Sequence, residues 1–355
     1  MKAAVWHSKR DVRIDSTAEP AQLGADEALL DVALCGICGT DVHEYTDGPI
    51  FLPHDGSGAR APAILGHEFA GTVAEVGANV TQARPGDRVT ILPTTSCQQC
   101  GYCQSGYTQL CDTAIWLGLG VSWGGLASRA VVKGYQLFRI PDSVSFEQAA
   151  MVEPAAVAML AAQRGGVGPG SVVLVTGGGP IGQLCALAAR ALGADKVYLS
   201  EVVPGRREGA ARNVEPTAVF DPSAQSVPDA VRAATGGLGA DIAIEASGSE
   251  RALMDALAAT RKDGTVVQVA IHQRPVSIHP ATQLTIPMKR IIGSLSYTAD
   301  TYRQVIQLMA DGKYPVERLV TATIPLQDLL ELGLDELGRA DTQHIKILVN
   351  PSAEG

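Results

Sequence analysis

The hydrophobic pattern of the chain changes character part-way along. In the first third, apolar runs such as 28–34 read as buried strands. From about residue 165 a more regular rhythm sets in. Residues 171–176 form a β-branched run bounded by glycine, the pattern of a buried parallel strand. A helix is predicted over 181–192, ended by Gly193, and the strand Lys196–Ser200 follows. Further strands are predicted over 241–246, 265–270 and 290–295, with helical stretches between them, notably 250–261. Alternating strands and helices imply a doubly wound parallel sheet, so the fold class is α/β. This domain is placed at 154–296. Residues 1–153 and 297–355 form the other domain, to which the chain returns from about Tyr302 and which it closes with the apolar strand 345–349. The Gly- and Pro-rich stretch 47–62 reads as a long loop.

Composition narrows the function class. The 355 residues are 46% hydrophobic and 18% charged, enough apolar content for two cores. A net charge of −9 argues against nucleic acid or an anionic membrane as partner. The first residues, Met1 to Val5, run into His7, Lys9, Arg10 and Asp11 without an apolar core of signal-peptide length. No run approaches the roughly 20 apolar residues of a membrane span. A soluble, cytoplasmic chain is expected.

Gly177-Gly178-Gly179-Pro180-Ile181-Gly182 satisfies G-x-G-x-x-G. Strand, glycine turn, helix, strand and acid in that order make a dinucleotide-binding fingerprint, which the glycines alone would not. Gly177 permits the tight turn, Gly179 lets a pyrophosphate approach the helix N-terminus with Pro180 and Ile181, and Gly182 lets the helix pack on the sheet. Glu201, 24 residues beyond Gly177, is suited to accept hydrogen bonds from the ribose hydroxyls. Its charge would repel a 2′-phosphate, favouring NAD over NADP. Arg206 and Arg207 pull the other way, since arginine just beyond this strand can meet that phosphate. The segments after later strands, with Ala246, Val269, Ile271, Ser294 and Ser296, are where such folds line the cofactor.

Cys97, Cys100, Cys103 and Cys111 are spaced C-x2-C-x2-C-x7-C. Four thiols within 15 residues predict a closed tetrahedral structural zinc site rather than disulfides. An iron–sulfur cluster is the competing reading, but such runs usually end in Cys-Pro, and Asp112 follows Cys111. Of the seven cysteines, Cys35 and Cys185 lie in apolar runs and are expected to be inert core thiols.

Upstream stands Cys35-Gly36-Ile37-Cys38-Gly39-Thr40-Asp41-Val42-His43, then Gly66-His67-Glu68. With the four-cysteine lobe, these segments resemble the zinc-dependent medium-chain alcohol and polyol dehydrogenases over nearly the whole chain. The resemblance implies a mainly β, GroES-like catalytic domain, carrying the lobe at about 93–113, beside a Rossmann NAD domain. It implies a catalytic zinc held by Cys38, His67 and Glu153, and thus two zinc ions per chain. Such a zinc acts as a Lewis acid that lowers the pKa of a bound alcohol. The resemblance assigns proton transfer to Thr40 and His43 and places Lys346 near the cofactor pyrophosphate. Neighbouring residues of an extended chain face opposite ways, so Glu68 is expected behind the metal, as an alternative ligand at most. Homodimers or homotetramers are expected.

Within the family, 43–50, the insertion up to Pro62 and 293–298 look closest to the 2,3-butanediol dehydrogenase branch, also called acetoin reductases. The expected substrate is a vicinal diol or hydroxyketone. Its second oxygen would meet Glu68, His43 or Ser296, and its short apolar ends would rest on Ile50, Trp116 and Ile271. Sorbitol or other polyols and threonine are the alternatives. A binding or structural protein on the same fold is the non-enzymatic alternative, against which the intact ligand set argues.

Overall fold

The computed structural model describes residues 1–20, 22–50, 63–120 and 123–353. Most of the 47–62 stretch therefore lies outside the described residues. The chain forms two units. One comprises 1–153, 298–310 and 320–355; the other comprises 154–297 and 311–319.

The first unit is built on a seven-stranded sheet. Its central strand, Glu27–Gly36, pairs antiparallel with Glu68–Val76 on one side and with Lys346–Asn350 on the other. Arg129–Lys133 also pairs with Glu27–Gly36. Strand alternation fills one core with Trp6, Leu30, Ile37, Phe69, Ile91 and Leu126. The register sets Gly36 opposite Glu68 on one neighbour and Leu348 on the other. The C-terminal strand is thereby brought to the segment that carries Cys38. Tyr302, on the helix Ala299–Ala310, is fully buried in this unit and donates to the Ile91 carbonyl.

The second unit contains a six-stranded parallel sheet. Numbered along the chain from Val172–Thr176, its strands lie in the order 3-2-1-4-5-6, the doubly wound arrangement in which ligands bind at the carboxyl ends of the strands. Leu174, Tyr198, Val231, Ala243, Leu257 and Val266 pack into its core. Two details depart from expectation. The helix predicted over 250–261 ends at Ala259. There Thr260 turns to extended backbone, bonds its hydroxyl back to Ala256 O at 2.7 Å and starts the strand Thr260–Gln268. The return to the first unit is also interrupted, because residues 311–319 pack back onto the second. Tyr314 explains this: its buried hydroxyl reaches the carbonyls of Ala155 and Leu184 at 3.2 and 3.1 Å.

Candidate active site

In the first unit, the strand Glu27–Gly36 runs into Cys38, which caps the helix Gly39–Asp47. Asp41, three residues on, accepts the Cys38 N–H at 2.9 Å and the Gly66 N–H at 3.3 Å. Its carboxylate also faces His67 Nδ1 at 3.8 Å. One fully buried aspartate thus ties the Cys38 and Gly66–His67 segments together and places a carboxylate behind the imidazole, whose Nδ1 has no hydrogen-bond partner. Sequence reading passed over Asp41. The signal was its place at the third helical position after Cys38, where a carboxylate closes a capping box.

Ligand atoms of Cys38, His67 and Glu68 lie within 4.8 Å of one another. Strand alternation does not separate His67 from Glu68, because the strand begins only at Glu68 and His67 lies outside it. Glu153 stands outside that trio, at the start of the helix Val152–Gly165. It is buried, and its charge is felt at His67, Lys346 and Tyr302.

Burial opposes a charged His67, but Asp41, Cys38 and Glu153 outweigh it and hold the imidazole pKa well above its usual value. Glu68, Glu153 and the Cys38 thiol act on a single ammonium, Lys346, and Asp41, whose carboxyl pKa burial raises, stands behind His67. That surplus of negative potential, with soft sulfur and imidazole nitrogen in reach, fits a divalent zinc ion.

Lys346 has partners that the sequence did not show. It is only 3% exposed, and its Nζ donates to Glu68 Oε2 at 2.6 Å and to Ile37 O at 3.0 Å. The strand register puts it there, and Gly36 makes room, since a Cβ on Gly36 would collide with Glu68 Oε2. Burial depresses the Lys346 pKa, and the charges of Glu68, Cys38 and Glu153 more than reverse this.

Thr40 Oγ1 lies 3.4 Å from His67 Nε2. His43, one helical turn further on, is exposed to solvent. Ile50 is half-exposed and anchored through its N–H to the fully buried Glu44 carboxylate at 2.9 and 3.1 Å. Trp116 sits on the short strand Ile115–Trp116, paired with Thr94–Thr95.

The four lobe cysteines close on one another, their sulfurs all within 4.8 Å. Cys97 Sγ accepts N–H groups of Gln99 and Cys100 at 3.4 and 3.2 Å, and Cys111 Sγ accepts the Cys97 N–H at 3.4 Å. Backbone donors aimed at sulfur favour thiolate, as a four-sulfur zinc site requires. Cys35 and Cys185 are fully buried, and burial raises both thiol pKa values, that of Cys185 to about 12.

In the second unit, Gly177 adopts φ +103°, and Gly179 caps the helix Pro180–Ala191 with open space above its Cα. Gly182 approaches the Gly177 carbonyl too closely for any side chain. Ile181 lies in the first helical turn. Glu201 is buried beside this turn and accepts the Gly178 N–H at 2.6 Å and the Val203 N–H at 2.8 Å. At the carboxyl ends of the strands, Thr176 Oγ1, Gln268 Oε1, Ser294 Oγ and Ser296 Oγ are buried without a hydrogen-bond partner. Orphaned polar atoms around an open helix N-terminus fit a dinucleotide. Ala246 and Val269 follow the strands Ala240–Glu245 and Thr260–Gln268, where the buried Glu245 carboxylate collects Ser247, Gly248 and Gln268. Ile271 is 68% exposed, and Arg206 is half-buried on the helix Pro204–Val214.

Residues 24–142 match the family model of the alcohol dehydrogenase GroES-like domain, and residues 180–311 match that of the zinc-binding dehydrogenase. The chain belongs to the zinc-binding medium-chain alcohol dehydrogenases, a family of oxidoreductases. It is 36% identical over 360 residues to the (R,R)-butanediol dehydrogenase of Bacillus subtilis (strain 168), spanning 99% of this chain and 100% of that protein. It is 33% identical to the sorbitol dehydrogenase of the same organism, over 99% and 98% of the two chains. The crystal structure of 2R,3R-butanediol dehydrogenase from Bacillus subtilis matches with a TM-score of 0.90 and 36% identity over 99% of each chain. Among the described residues, no helix is long and apolar enough to cross a membrane.

Proposed function

We propose that the protein is an NAD-dependent zinc dehydrogenase that interconverts 2,3-butanediol and acetoin. The observation that carries the zinc chemistry is the convergence of half-buried Cys38 with buried His67 and Glu68, the latter bonded to the Lys346 ammonium. Cys38, His67 and Glu153 would hold the catalytic zinc, because Glu68 already has its oxygen on Lys346 at 2.6 Å. When bound, zinc supplies a Lewis acid for the substrate oxygen and NAD supplies the hydride acceptor. Asp41 faces the imidazole Nδ1 at 3.8 Å and supplies the negative charge behind it. Thr40 and His43, at i and i+3 on one helix face, take the released proton from beside His67 to solvent. The Gly177 turn holds the pyrophosphate and Glu201 the ribose hydroxyls. A second zinc in the Cys97–Cys111 lobe is structural, and the enzyme works as a homodimer or homotetramer in the cytoplasm.

Support for a diol comes from the butanediol dehydrogenase relatives and from the apolar side chains of Ile50 and Trp116 in the zinc-bearing unit, on which short apolar substrate ends would rest. The sorbitol dehydrogenase likeness favours a polyol as the second reading. The deciding measurement is kcat/KM across butanediol isomers, simple secondary alcohols and sorbitol. One butanediol isomer is expected to lead; a clear lead for sorbitol, or for an alcohol without a neighbouring oxygen, overturns the diol assignment.

A further inference from the structure

We propose that Asp221 sets the cofactor preference by clamping Arg207 away from the position of a 2′-phosphate, a reading that rests on the NAD assignment above. A 2′-hydroxyl needs an acceptor such as Glu201, whereas a 2′-phosphate needs a guanidinium. This chain places a guanidinium in the right neighbourhood. Arg207 Nη1 donates to Glu201 O at 2.9 Å and to Val202 O at 2.6 Å, so its head lies against the backbone of the ribose-binding acid. Glu201, Val202 and Pro222 line the cleft beside the Gly177 turn, and the Arg207–Asp221 pair is attached to that wall.

Asp221 holds the remaining arm of the guanidinium. Its Oδ2 is 2.8 Å from Arg207 Nη2. Its Oδ1 accepts both the N–H and the hydroxyl of Ser223, at 2.9 and 2.5 Å. Those donors and Arg207 keep the Asp221 carboxyl below its usual pKa. The anchor is therefore a fixed negative charge. It neutralises Arg207, fixes its direction along the backbone, and adds a second carboxylate near Glu201. A phosphate arriving there meets the carboxylates of Glu201, Asp221 and Asp255, with Arg207 already engaged and the other guanidinium of the cleft, Arg251, donating to the Pro222 carbonyl and paired with Asp255. Arg207 is about one-fifth exposed, so releasing it needs a change of rotamer and no change of fold.

The test is binding of 2′,5′-ADP and of 5′-AMP by isothermal titration calorimetry, with kcat/KM for NADP and NAD measured alongside. The wild-type protein is expected to bind 5′-AMP at least tenfold more tightly than 2′,5′-ADP. Asp221→Asn should bind 2′,5′-ADP at least tenfold more tightly than wild type, and adding Arg207→Ala should abolish that gain. Asp221→Glu, which keeps the charge, should keep the wild-type preference. Should the Asn variant not fold, Asp221→Ser, which leaves a hydroxyl for the Ser223 N–H, carries the same expectation. Unchanged 2′,5′-ADP binding on loss of the Asp221 charge, or a gain that survives without Arg207, overturns the clamp. Wild-type protein that binds both nucleotides alike overturns the NAD reading itself.

Discussion

Lys346 donates to Glu68 at 2.6 Å with both side chains closed off from solvent, although 278 residues separate them. The pair exists because the strand Glu27–Gly36 lies between the two strands that carry it, and because Gly36 has no side chain to intervene. It gives Glu68 a fixed counter-ion inside a cluster that otherwise carries excess negative charge.

Removing one partner of such a pair leaves the other charge buried alone, which costs about 3–5 kcal/mol. Lys346→Met is expected to lose stability on that scale in urea denaturation. The Lys346→Met/Glu68→Leu double variant should lose less than the two single changes combined. Additive losses would show that the two residues do not act as a pair.

The two carboxylates near Cys38 and His67 are separated by metal content. Glu153→Ala is expected to keep one zinc per chain and lose nearly all turnover, with NADH binding intact by fluorescence. Glu68→Ala should keep both zinc ions and lose activity less severely. Elemental analysis with the reverse pattern would transfer the ligand role to Glu68, the carboxylate that stands within 4.8 Å of the other two ligands.

Cys100→Ser opens the four-sulfur lobe. Native protein is expected to carry two zinc ions per chain and the variant one, with a fall in Tm of several degrees and little change in relative kcat/KM among alcohols. A changed substrate ranking at unchanged stability would contradict a structural role for the lobe.

Tyr314→Phe removes only a hydroxyl that bridges to Ala155 and Leu184. The loss of one buried hydrogen bond should cost about 1 kcal/mol in urea denaturation, with turnover nearly unchanged. A neutral result would mean that apolar packing alone returns residues 311–319 to the second unit.

The parts of this protein legible in its sequence are those made by neighbours along the chain. The four cysteines fall within 15 residues, and the glycine turn with its flanking strand and helix is one continuous stretch. Such features are fixed by short-range stereochemistry and the reach of a loop, so their spacing carries the information. The alternation of strands and helices likewise sufficed for the parallel sheet, and the Cys38 and His67 segments for the family. Tertiary structure decided the rest. His67 lies just outside the strand that begins at Glu68, and the fold brings both within 4.8 Å of each other and of Cys38, where alternation alone would have parted them. Asp41 was passed over as the group that faces His67, because the chain between them had first to fold back. Lys346 was expected near the cofactor, and only strand pairing revealed Glu68 as its partner. The register between distant strands is settled by the packing of whole faces, and no spacing in the sequence records it.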